Sequence, residues 1–178
     1  MKRFFILGAV IIAMLMVLSS AWASISLNSS RSNIYRIVYP ADLVSQAQAM
    51  ALLADLDKLG PADEATLNTW LRANLKRFGI RADRVKRIAV YLERQTSCNT
   101  SASTCKGKWV GPGPSARKGV TGGAAEDAVC FCYGAISSPA QVAQVDKASP
   151  IRILLLTDPA DEPAAMAIKG TGVPKNSM

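Results

Sequence analysis

The chain has 178 residues, 49% of them hydrophobic, with 21 Lys and Arg against 13 Asp and Glu for a net charge of +8, four cysteines and no histidine. That length suits one compact domain with a real core. The positive balance favours phosphate, acidic polysaccharide or anionic surfaces without choosing among them. The missing histidine excludes every Ser-His or Cys-His catalytic arrangement and the commonest zinc ligand.

Residues 1–23 read as a secretory signal peptide. Lys2 and Arg3 precede an apolar run of 15 residues, Phe4 to Leu18, and Ala21-Trp22-Ala23 supplies small side chains at −3 and −1 of a cut after Ala23. The run is shorter than the roughly 20 residues that span a bilayer, so no stable membrane span is expected after cleavage. Export places the protein in the periplasm or outside the cell. Residues 24–32, SISLNSSRS, are polar and serine-rich and are expected to be a flexible N-terminus.

A single domain is expected over 33–158. Ile34, Tyr35, Ile37, Val38 and Tyr39 are β-branched or aromatic and predict a strand that Pro40 ends. Residues 41–59 predict a helix with Ala49, Leu52, Leu53, Leu56 and Leu59 on its buried face. Gly60 and Pro61 stop it and restart a second helix, in which Leu67, Trp70, Leu71, Leu75 and Phe78 form the stripe and Gly79 the end. The two make an αα-hairpin. Ile88, Val90 and Leu92 then alternate with Arg87, Ala89 and Tyr91, which predicts a half-buried strand.

Residues 96–127 lose hydrophobic period and become rich in Gly, Pro, Ser and Lys, a long loop of the kind that is functional or tied down. AVCFCYGA predicts a third strand, residues 138–147 a short helix and IRILLLT a fourth strand, and 159–178 a C-terminal tail. The fold class is α+β: an antiparallel four-stranded sheet, an αα-hairpin and a short helix, in ferredoxin-like split βαβ order. The second and third strands would form a hairpin with the cysteine loop at its tip, and the first and last strands would lie in the centre.

In an oxidising compartment the cysteines form disulfides. Strand residues two apart, Cys130 and Cys132, lie about 6 to 7 Å apart and do not bridge each other. Antiparallel strands favour the nested pairs Cys98–Cys132 and Cys105–Cys130, with Cys98–Cys130 and Cys105–Cys132 as the crossed alternative. Gaps of six, 24 and one residues between successive cysteines do not match a zinc site. No metal and no cofactor is expected. Asp55, Asp57 and Gly60 begin a calcium-loop pattern whose twelfth position is Thr66 rather than glutamate.

Tyr35, Ile37 and Tyr39, then Arg87, Ala89 and Tyr91, then Val129, Phe131 and Tyr133 each alternate onto one strand face. Were these faces shared and open, Tyr35, Arg87, Tyr91, Phe131 and Tyr133 would form an aromatic platform, rimmed by Lys106 and Lys108. The expectation is a non-enzymatic exported binding or assembly module of the bacterial envelope, whose partner is an envelope protein or an anionic polymer. The alternatives are a hydrolase of cell-wall or polysaccharide material using Asp158, Asp161 or Glu162, and a basic single-stranded nucleic-acid binder in DNA transfer. Nucleic acid is the less favoured partner, because an exported protein seldom meets it.

Overall fold

A computed structural model describes residues 26–97, 105, 107–110 and 129–168. The expected signal peptide, Cys98, Lys106, most of the cysteine loop and the end of the C-terminal tail lie outside the described residues. The strands are β1 (Leu27–Arg31), β2 (Tyr35–Pro40), β3 (Arg87–Ser97), β4 (Lys108–Val110), β5 (Val129–Gly134) and β6 (Ile151–Leu156). The helices are α1 (Gln46–Leu59), α2 (Glu64–Asn74), α3 (Pro139–Val142) and α4 (Glu162–Ala167).

The architecture is α+β, but the sheet is mixed and has the order β1-β2-β6-β3-β5-β4. β6 runs parallel to β2 and antiparallel to β3, so the expected four-stranded antiparallel sheet is corrected. The β3–β5 hairpin stands as expected. The last strand is central, whereas the first expected strand, β2, lies second from the edge, covered by β1. β1 falls in the segment expected to be flexible: Ser30 Oγ hydrogen-bonds Tyr39 Oη at 3.0 Å, and the strand pairs with β2 along its length. A serine-rich strand has little apolar signal, and its backbone pairing carries it. β4, inside the expected loop, and α4, inside the expected tail, are likewise ordered. β4 can approach β5 because Gly107 precedes it: a Cβ there would stand 2.1 Å from the Tyr133 carbonyl oxygen.

α1 starts at Ser45, later than residue 41, in a capping box: Gln48 N–H donates to Ser45 Oγ at 3.2 Å and Ser45 N–H to Gln48 Oε1 at 2.9 Å. Ala49, Leu52, Leu53 and Leu56 are buried, but Leu59 is 41% exposed because the helix ends there at Gly60. Asp63 caps α2 by accepting from Thr66 N–H at 2.8 Å. Together α1 and α2 cover one face of the sheet, where Tyr35, Ile37, Tyr39, Ile88, Val90, Leu92, Ile151, Ile153 and Leu155 are buried. A smaller core on the opposite face joins Val38, Ala89, Tyr133, Leu154 and Leu156 to Ala165 and Met166 of α4. With both faces covered, β2 and β6 are buried at every residue.

Candidate functional site

Period-two alternation puts Tyr35, Ile37 and Tyr39 on the helix-covered face and Arg87, Ala89, Tyr91, Phe131 and Tyr133 on the other. The expected aromatic platform is therefore divided, and Tyr35 leaves it. Tyr35 is fully buried and donates to the Gly60 carbonyl at 2.6 Å, and burial, with the nearby Asp57 charge, pushes its phenol well up.

The remaining aromatic residues do meet. Tyr133 lies 6.2 Å from both Tyr91 and Phe131, ring centroid to centroid. They do not form an open platform, because α4 lies over them. Tyr133 is 1% exposed and donates to the Met166 carbonyl at 3.1 Å. Glu162, at the start of α4, accepts from Tyr91 Oη and Lys108 Nζ on one oxygen and pairs with Arg87 Nε at 2.8 Å on the other. Burial pushes the Glu162 carboxyl up, but the hydrogen bonds from Lys108 and Tyr91 and the charges of Lys108 and Arg87 prevail and hold it below its ordinary range. Lys108 is raised by the same two hydrogen bonds. So Arg87, Tyr91 and Lys108, three residues singled out from the sequence, converge on a carboxylate that holds α4 to the sheet. Of the other two acids in that segment, Asp158 caps a turn by accepting from Ala160 N–H at 2.9 Å, and Asp161 sits at the start of α4.

Beneath α4 lies a charged group that the sequence reading did not single out. Glu93, 2% exposed, pairs with Arg36 through one oxygen and with Arg152 through the other, both at 2.7 Å. Arg152 is fully buried. Its Nη2 donates to the Ala165 carbonyl at 2.8 Å and to the Ile168 carbonyl, and its Cζ stands 5.2 Å from the Tyr133 ring centroid.

The disulfide correction concerns the expected loop. Cys105 is bridged to Cys132, with Cα atoms 5.6 Å apart, which overturns both expected pairs, Cys98–Cys132 and Cys105–Cys130, and matches the Cys105–Cys132 half of the crossed alternative. The register explains it. Cys132 is opposite both Trp109 of β4 and Arg94 of β3, so Cys105, just before β4, reaches Cys132 sooner than it reaches Cys130. Cys130 is buried in β5 and is also disulfide-bonded.

Cys132 also lines a cleft of about 480 Å³ with Leu92, Arg94, Gly134, Gln141 and Gln144. The cleft opens on the helix-bearing face between the β3–β5 hairpin and α3. Arg94 donates to Gln144 Oε1 across it. Among the described residues its lining offers one guanidinium and two amides and no carboxylate, which suits an anionic or hydrogen-bonding ligand. Among the described residues no group of three or more His, Cys, Asp or Glu is placed to hold a metal. Asp55 pairs with Lys58 and Arg77, and Asp57 accepts from Ser32 Oγ at 2.7 Å. No helix of the described residues is long and apolar enough to cross a membrane. Compared with models of protein families, with curated proteins and with solved structures, the chain has no match.

Proposed function

We propose that the protein is an exported binding or assembly module of the bacterial envelope, which holds an anionic polymer or protein at the disulfide end of its sheet. The cleft beside Cys132 carries this reading: Arg94, Gln141 and Gln144 line it, and no acid among the described residues opposes them. The Cys105–Cys132 bridge anchors one point of the cysteine loop at the same cleft and accords with an oxidising compartment. The hydrolase alternative is weakened, because both oxygens of Glu162 are engaged by basic or phenolic groups and a carboxylate held in this way makes a poor general acid. The nucleic-acid alternative loses two of its four stacking rings, since Tyr35 and Tyr133 are buried.

The test is co-sedimentation of the mature chain with purified insoluble envelope polymer across a salt series, alongside Arg94→Ala and Gln144→Ala. Saturable, salt-sensitive binding that both variants weaken, with unchanged circular dichroism, is the expected result. Binding that ignores both substitutions would refute the assignment to this cleft. Release of soluble fragments from the polymer would replace the binding reading with an enzymatic one.

A further inference from the structure

Three buried side-chain atoms among the described residues have no hydrogen-bond partner: Ser29 Oγ, Arg36 Nε and Arg152 Nε. All three belong to adjacent strands and to one face of the sheet. Ser29 is opposite Val38 and Arg31 is opposite Arg36 across β1 and β2, and Arg36 is opposite Arg152 across β2 and β6. Residues directly opposed in a sheet share a face. Arg31, Arg36 and Arg152 therefore form a transverse row of guanidiniums on the side where Val38 and Leu154 pack under α4.

Like charges directly opposite one another destabilise a sheet, and among the described residues the carboxylate that pairs with this row is Glu93 alone. Three positive charges thus face one negative charge. Arg152 spends both terminal nitrogens on Glu93 and the carbonyls of Ala165 and Ile168. Arg36, only 8% exposed, spends Nη1 on Glu93 and leaves Nε without an acceptor. Burial holds the Arg36 guanidinium below its ordinary range, and the charges of Arg152 and Arg31 add to this against the opposing pull of Glu93. A buried donor without an acceptor costs about 1 to 3 kcal/mol. Two such arginines, a hydroxyl and an excess of positive charge at one place lack the same thing, an anionic acceptor.

We propose that Ser29, Arg31 and Arg36 form a binding site for a small oxyanion, a carboxylate or phosphate group, with Arg152 adding its charge from beneath. Arg31 is half-buried on the edge strand β1, so of the three arginines in the row it is the most exposed to solvent. A guanidinium fork with a free Nε suits bidentate capture of such a group. The site lies on the opposite face of the sheet from the Arg94 cleft, so it stands or falls independently of that cleft.

The experiment titrates the ¹⁵N-labelled protein with sodium phosphate and, separately, with sodium acetate, following the arginine Nε–Hε resonances against sodium chloride at matched ionic strength. Saturable shifts of the Arg31 and Arg36 resonances that chloride does not reproduce are expected. Arg31→Gln should weaken the affinity about tenfold or more, the loss of one charge-assisted hydrogen bond. Ser29→Ala, which removes only a hydroxyl, should weaken it several-fold and gives a second readout should Arg31→Gln unfold. Response to phosphate alone assigns a phosphoryl ligand, response to acetate alone a carboxylate, and response to both a general oxyanion site. Absence of a saturable shift with either anion, or equal shifts with chloride, overturns the proposal, as does affinity unchanged in both variants.

Discussion

Replacing Glu93 by glutamine puts the buried charges of the back face to the test. The carboxylate is 2% exposed and is shared between Arg36 and Arg152, themselves 8% and 0% exposed. Glutamine keeps the size and one acceptor oxygen but removes the charge, leaving two guanidiniums opposed in register with nothing to neutralise them. Breaking a buried pair by removing one partner costs about 3 to 5 kcal/mol. The retained carbonyl oxygen puts the expected loss at the low end, about 3 kcal/mol, out of the 5 to 15 kcal/mol typical of a whole domain. At 2 to 4 °C per kcal/mol for a chain of this size, the midpoint of thermal unfolding should fall by roughly 6 to 12 °C. The assay is urea and thermal unfolding followed by circular dichroism in a buffer free of phosphate. In the double variant Arg36→Gln with Glu93→Gln, one of the repelling cations is gone as well. That protein should be no less stable than Glu93→Gln alone, a coupling that only interacting residues show. A loss under about 1 kcal/mol for the single variant, or losses that simply add in the double, would refute the electrostatic account.

Acid should loosen α4 first. The folded pKa of Glu162 lies below its ordinary value of 4.5, so its ion pairs stabilise fully above that value and are lost as pH falls through the folded one. The stability gap between the native protein and Glu162→Gln should therefore shrink below about pH 4, measured by urea midpoints across a pH series. Replacing Cys105 and Cys132 together by serine should cost about 3 to 4 kcal/mol for a bridge spanning 27 residues, read by the same unfolding assay. Gly107→Ala drives a methyl into the Tyr133 carbonyl, so the amides of β4 should lose protection in hydrogen exchange while those of β6 keep it. Leu56→Ala, at a fully buried position of α1, should cost about 2 to 5 kcal/mol in chemical unfolding.

What could be read in advance was whatever rested on apolar spacing. The αα-hairpin, the β3–β5 hairpin and the strands β2 and β6 all carry such a signal. β1, β4 and α4 do not. LNSSR and KWV are strands because a neighbour's backbone accepts them, and EPAAMA is a helix that tertiary contact holds in place. The direction of β6 was likewise hidden, since parallel and antiparallel neighbours look alike in a run such as IRILLL. Arg152 within that run and Arg36 within YRIVYP are the local clues to the charged group, because a lone cation in a fully buried strand needs a buried acceptor. The acceptor of Arg152, Glu93, is 59 residues away and in contact only once β6 lies beside β3. For the aromatic residues the alternation within each strand is legible, but which faces coincide depends on pairing across strands.

The position of β6 has a consequence for how the chain must be made. The strand that joins the two halves of the sheet is synthesised after every other described strand, so Tyr35 waits for Ile151 and Val90 for Ile153 before either earlier strand is complete. Until then β2 and β3 each offer an open, largely apolar edge to whatever is nearby. A chain cut short before Pro150 should be an aggregating or chaperone-bound species rather than a smaller version of the domain, and the protein should gain its stability in one late step as the final strand slides between its neighbours.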